Sequence, residues 1–365
     1  MLLPMGSIYD LLEQYPDEKA CERYFIEKRW PNGVYCPKSD CESSDVYDCH
    51  SARRLKMWKC RKCQHKFTVT SGTVMAGTKL PLRKWMIAYH EMGSAKKGIS
   101  SRHLARKLSI GLRPAWHLGH RIRATMADDS QLFSGTVESD EAYLGGRRRR
   151  HGRGYRGNKV AVQTIIKRGQ ASTRRDRDLA RGHEYSKAQT VVLNPTDSVD
   201  GRTVGAKLRK HTIPNKTVLM TDESPIYDAV GDVFREHHTV THKAQQYVKQ
   251  EDDGHLAHTN TAEGYFGNFK RQVDGTHHHI SKRHAQRYAE EHDHKYNHRN
   301  KDDTAIAEAA IANMEGKRVK LFKSKASGGD SLLPYAHDEH PDHGTARGAH
   351  AAPRRAIRVK RTKRR

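Results

Sequence analysis

TVLMTDES, residues 217–224, decides the fold. Val218, Leu219 and Met220 form a short apolar run, and Asp222 stands where the run ends. A near-apolar strand that delivers a carboxylate at the edge of a sheet is how α/β folds build sites. GTVESDEAYLGG at 135–146 places Asp140 in the same way, with Glu141 expected on the opposite face of the strand. NKVAVQTIIKRG (158–169) and QTVVLNP (189–195) add further β-like runs. Candidate helices near 201–210 and 260–273 alternate with these, so residues 133–315 are expected to form an α/β domain.

The second of those helices lies in HTNTAEGYFGNFKRQ, residues 258–272. Phe266, Phe269 and Val273 make the stripe that packs on a sheet, and Glu263 is the one acid of the stretch. Lys270 follows seven residues later, about 10.5 Å along the helix on nearly the same face. That is too far for an ion pair, but it suits a lysine that grips a phosphate beside the one being cut. Asp140, Asp222 and Glu263 together offer hard oxygen ligands for two magnesium ions. Such a pair of ions stabilises the attacking and leaving oxygens of a phosphoryl displacement.

The chain of 365 residues carries 67 Lys and Arg against 42 Asp and Glu, a formal charge of +25. That excess favours a polyanionic partner, nucleic acid first. No apolar run is long enough for a membrane span, and MLLPMG lacks the features of a signal peptide. A cytoplasmic, reducing setting follows as the expectation, in which paired cysteines indicate metal before disulfides. Cys36 and Cys41 form one knuckle and Cys60 and Cys63 another, each flanked by strand-like residues. Four thiolates in that order predict a structural zinc ribbon over 33–72, preceded by a helical lead-in, 1–32. Cys21 and Cys49 lack partners at knuckle spacing.

Residues 80–127 look helical. Ser100 suits the cap of a helix bearing Leu104 and Leu108 on one face, and Gly111 suits a turn. Pro114 suits the first position of a second helix that buries Trp116 and Ile122. Arg113, His117 and Arg121 are then expected outward, the pattern of a helix-turn-helix entering a major groove. Arg147 and Arg148, in the basic glycine-rich stretch GGRRRRHGRGYRGNK (145–159), are expected to touch DNA phosphates. His277 to His279 are expected to serve as polar or phosphate-contacting groups, not as a second metal site. Residues 316–365, rich in Gly, His, Pro and base, are expected to be a disordered basic tail that adds unspecific affinity.

SDEAYLGG, TDESPIY and HTNTAEGYFGNFKRQ, followed by GTHHHISKRHAQRYAEEHDHKYNHRN, resemble bacterial insertion-sequence transposases of the DDE type. The chain is most similar to the subgroup with an N-terminal zinc ribbon and an ISXO-two-like transposase domain. CRKCQHKFTVTSGTVMAGTKLPLRKWMIAYHEM shares in that likeness, which runs from about residue 15 to 300. The resemblance implies a ribonuclease-H-like mixed sheet with flanking helices, a divalent ion (magnesium or manganese), and cut-and-join chemistry on transposon ends. It places the catalytic positions on Asp140, Asp222 and Glu263, with Lys270 as accessory lysine. Asn260 competes for the third place, but it lacks charge and the sevenfold offset to Lys270. Ser139 stands where relatives more often carry a hydrophobic residue, and a histidine of GTHHHIS where they often carry tyrosine.

The expected protein is therefore a multidomain α/β transposase that binds double-stranded DNA as a homo-oligomer, with Lys270 and Arg271 among the contacting bases. A DNA-binding regulator with an inert catalytic half, and a nuclease that cuts without joining, are the alternatives.

Overall fold

Local capping starts the chain. In the computed structural model, Ser7 and Asp10 form a capping box for helix α1 (Ile8–Gln14). Asp17 caps α2 (Glu18–Arg29), accepting the Ala20 N–H at 2.7 Å. Described are residues 7–49, 55–128, 130–145, 159–169, 185–193, 199–228, 230–240, 249–250 and 256–319. An antiparallel sheet follows, of β1 (Val46–Cys49), β2 (Met57–Cys60) and β3 (Lys66–Phe67). Trp58 stacks on Phe67 across β2 and β3, and the edge of Trp30 closes over both. Three helices come next: α3 (Leu82–Ser94), α4 (Ser101–Leu108) and α5 (Leu112–Thr125).

The second half builds a five-stranded mixed sheet. Its strands are β4 (Phe133–Leu144), β5 (Val160–Lys167), β6 (Lys187–Val192), β7 (Thr212–Asp222) and β8 (Glu236–Val240), with α6 (Gly201–His211) between β6 and β7. The order is β6-β5-β4-β7-β8: β4, β5 and β6 pair antiparallel, whereas β7 runs parallel to β4 and β8 parallel to β7. Even-numbered residues of β4 face α7 (Asn260–Gln272) and α8 (Ala285–Asn297), while its odd-numbered ones face α6. Helix α9 (Asp303–Ala312) returns to the first half. Among the described residues no helix is long and apolar enough to cross a membrane.

The stretches 1–32, 33–72 and 80–127 share one hydrophobic core, and α9 joins it through Ala307, Ala310 and Ile311. Gly93 of α3 makes that crossing close: a Cβ there would meet the Ala307 nitrogen at 3.2 Å. Past α9, Glu315 accepts Arg29 at 2.6 Å and the Tyr35 hydroxyl at 2.6 Å, tying the returning chain to the ribbon.

Two expectations for the helix pair need correction. Ser100 does cap α4, and Leu104, Leu108, Trp116 and Ile122 are buried as expected. Leu112, however, opens α5, so Pro114 takes the third position. Nine of the fourteen residues of α5 are buried, and Arg121 is among them. Its guanidinium donates to the carbonyls of Val74 and Ala76 and lies over the Trp85 ring. Carbonyl acceptors and an aromatic face thus draw inward a base expected to face outward. His117 is half-buried, with Nε2 3.1 Å from the Val319 carbonyl oxygen. Arg113 is exposed at the amino end of α5.

The two halves interlock through a buried charge cluster. Glu291 of α8 accepts Arg123 of α5 at 2.6 Å and Lys295 at 2.6 Å. Burial opposes its ionisation, but the charges of Lys295 and Arg123 prevail and hold the carboxyl far below the usual range. His277 packs edge-on against Tyr288 nearby, and burial lowers its pKa to about 3. Glu291→Gln leaves two cations buried without their counter-charge. A loss of about 3–5 kcal/mol is expected in denaturant unfolding, against less than about 0.5 kcal/mol for the exposed Glu13→Gln.

Candidate metal centre and carboxylate site

The ribbon brings its four cysteines together. The turn after β2 returns through Gln64, whose φ of 59° suits a knuckle, and the Cys60 N–H donates to the His65 carbonyl at 3.0 Å. The sulfurs of Cys36, Cys41, Cys60 and Cys63 all lie within 4.8 Å of one another. Cys36 and Cys63 stand 3.6 Å apart, and Cys41 and Cys60 3.7 Å. A zinc–sulfur bond of about 2.3 Å gives a tetrahedron whose edge is about 3.8 Å, so the donor set fits zinc. Burial pushes the Cys36 thiol up to about 12, while a hydrogen bond from the Cys63 backbone draws Cys60 down to about 7. Cys21 is buried in the core, and His65 stacks on Phe67.

The second site forms on the sheet. Parallel pairing sets Glu138 opposite Met220, so Asp140, within β4, and Asp222, the last residue of β7, each two residues on, stand level on adjacent strands. Both lie on the face that α7 covers. Asp140 accepts the Glu141 N–H at 2.8 Å and Asp222 the Ser224 N–H at 3.1 Å. Glu263 is exposed in the first turn of α7, Lys270 and Arg271 are exposed in its last, and Asn260 opens the helix. Among the described residues the cysteines are the one group gathered closely enough to count as a ready metal cluster. Asp140, Asp222 and Glu263 do not form such a group. Nor do His277 to His279 form such a group. Arg147 and Arg148 lie outside the described residues.

What holds α7 over the aspartates is Glu138, which the sequence reading passed over. Its fully buried carboxylate accepts the Thr261 hydroxyl at 2.8 Å and the Ala262 N–H at 2.9 Å, one residue before Glu263. Thr259, at the cap position, makes no side-chain cap bond, so Glu138 caps the helix from the neighbouring strand. Arg168 binds Glu138 at 2.6 Å and His258 lies 3.2 Å away. Burial raises the cost of the charge, but His258, Arg168 and Thr261 together hold the carboxyl below its ordinary range. Farther along α7, Tyr265 bonds Thr190 at 2.6 Å and also donates to Asp293.

The opposite face carries a second brace. Tyr227, five residues after Asp222, donates to Glu141 and lies 3.0 Å from the Ser139 hydroxyl. One phenol therefore holds both neighbours of Asp140. Ser139, at first sight a harmless exchange, also accepts from Gln163 at 3.1 Å. Burial pushes the Glu141 carboxyl up to about 7, the Tyr227 bond opposes this, and the charges of Asp140 and Asp222 add to it. Glu141 faces away from the proposed ligands, as strand alternation requires.

Residues 132–297 match the model of the ISXO2-like transposase domain, and residues 16–66 that of the transposase zinc-ribbon domain. Both models describe transposase domains, and the chain is similar to them over these two stretches. A curated relative, described as an uncharacterized protein in transposable element ISH50 of Halobacterium salinarum, is 27% identical over 133 residues. That alignment spans 36% of this chain and 44% of the relative, less than half of its length. The zinc-ribbon match contains all four cysteines, and the transposase-domain match runs from just before β4 to the end of α8. Helix α9 falls outside both, although it completes the first core.

Protein purified without chelator is expected to carry about one zinc per chain. Cys60→Ser should lose the metal and loosen the ribbon while the sheet stays folded, as read by metal analysis and circular dichroism. Wild-type protein free of zinc would refute the assignment.

Proposed function

We propose that this chain is a DDE transposase whose catalytic ligands are Asp140, Asp222 and Glu263. The observation that carries the reading is the placement of two aspartates level on adjacent parallel strands, with the first turn of α7 bonded to Glu138 on one of those strands. The sheet order supports a ribonuclease-H-like domain, with an antiparallel β4–β5–β6 meander and two strands added parallel to β4.

Asp140, Asp222 and Glu263 would hold magnesium or manganese, ions that suit carboxylate oxygens. When bound, such ions supply Lewis-acid stabilisation of the oxygens that attack and leave phosphorus. Lys270, on the same exposed side of α7 as Glu263, holds a neighbouring phosphate. Water attacks the phosphodiester at a transposon end and the 3′ oxygen leaves as a hydroxyl. That hydroxyl then attacks a target phosphodiester in the same site and displaces its 3′ oxygen, with no covalent protein–DNA intermediate. Bringing two ends together calls for at least two protomers.

For recognition of the ends, the reading keeps Arg113 at the exposed start of α5 and assigns Arg121 to the core. Arg271 adds positive charge beside Lys270. A basic tail over 316–365 supplies unspecific affinity, and the roles of Arg147 and Arg148 at phosphates belong to the same proposal.

Metal-dependent cleavage and strand transfer on an end duplex test it. Glu263→Gln, Asp140→Asn and Asp222→Asn should bind the duplex normally yet lose at least about 10²–10³-fold in both reactions. Lys270→Ala should lose less, and Asn260→Ala should stay active. A fully active Glu263→Gln beside a dead Asn260→Ala would show that the third ligand is the asparagine. Cleavage without any strand transfer would identify a nuclease instead.

A further inference from the structure

The outer edge of β6 is open to no further strand. Asn297 binds both the N–H and the carbonyl of Ala188, at 2.7 and 2.9 Å. Asp293 accepts the Thr190 N–H at 2.7 Å. Gln286 accepts the Val192 N–H at 2.8 Å and donates to the Thr190 carbonyl at 3.0 Å. One face of α8 thus satisfies the strand edge, so what this edge presents to a partner is side chains.

Those side chains line a groove of about 640 Å³ between α6 and the start of α8. Lys207 and Lys210 come from one wall and Lys282 and Arg283 from the other, with Glu290 the sole acid of the lining. Helix α8 begins there without a side-chain cap and with no acid in its first turn, so its positive end adds to the field. Bases at the end of α6 also suit that helix's own dipole. That role leaves unexplained why four cations from two separate elements converge on one groove.

The groove also has a defined place relative to the carboxylates. Asp140 pairs with Thr164, and Thr164 with Thr190 of β6, so β6 lies two strands from Asp140, while the groove, lined by Gln189, Val191 and the end of α6, opens on the other face of the sheet edge.

We infer that this groove is a second nucleic-acid contact, taking the phosphate backbone of duplex DNA without reading its sequence. Four cations and the amides of Gln189 and Gln286 line the groove, and among the described residues no Phe, Tyr or Trp lines it for base stacking. The inference rests on the DNA-acting reading above for the identity of the polyanion.

The test is the salt dependence of binding by the full-length protein to a random-sequence duplex of about 30 base pairs. Lys210→Ala/Lys282→Ala removes one cation from each wall. Losing two phosphate contacts should flatten the slope of log K against log salt by about 1.8. Lys207→Ala/Arg283→Ala should do the same. Lys19→Ala/Arg23→Ala, an equal loss of charge on the exposed side of α2, should leave the slope unchanged. Zinc content and thermal midpoint confirm folding in each. Equal slopes for the groove and α2 variants, or no duplex binding by the wild type, would overturn the inference. Asp140→Asn should keep the wild-type slope even though it cannot cut, so failure of the catalytic reading and failure of the groove give different results.

Discussion

The site depends on one buried carboxylate. Glu138 sits two residues before Asp140 on β4 and bonds to the residue before Glu263 on α7. Burying an ionised group is costly unless it is paired and hydrogen-bonded, and here Arg168, His258, Thr261 and a backbone N–H all serve it. The same bonds cap a helix that its own sequence leaves uncapped. A single side chain therefore sets the height and position of the α7 amino end above the strand that carries Asp140. Tyr227 does the corresponding work on the other face, holding Ser139 and Glu141 and joining them to the segment after Asp222. The strand positions of the aspartates are fixed by backbone pairing, whereas that of the helix glutamate is fixed by Glu138.

A second constraint makes the ribbon half and the sheet half a single structure. Arg123 reaches from α5 to Glu291 of α8, and α9 leaves the sheet to fill the first core. Helix α8 is thus bound on three sides: to α5 through the charge cluster, to β6 through Gln286, Asp293 and Asn297, and to α7 through Asp293 and Tyr265. This one helix therefore touches both the first core and the sheet.

The cysteine cluster is legible because knuckle spacing is a local property of the chain, and the structure brings the same four sulfurs together. The strands that carry Asp140 and Asp222 are legible because apolar runs and turn signals are also local. Arg121 was misread because a base on an amphipathic helix looks solvated unless its acceptors are known, and the Val74 and Ala76 carbonyls come from a distant turn. Glu138 was missed for a similar reason. It is one of three acids in VESDEAY, and only its partners near 168 and 258–262 set it apart. A signal did exist, since period-two alternation puts Glu138 on the same face as Asp140. The return of α9 to the first core had no local signal.

The central claim is that Glu138 places Glu263 for its role beside the aspartates. It is tested most directly by the dissociation constant of manganese(II), measured by calorimetry for wild type, Glu138→Gln, Glu263→Gln and the double variant. Each single change should weaken binding, and the double variant should bind little more weakly than Glu263→Gln, because the two residues act through one ligand. Strictly additive losses, or normal manganese binding in Glu138→Gln alongside impaired binding in Glu263→Gln, would contradict the account.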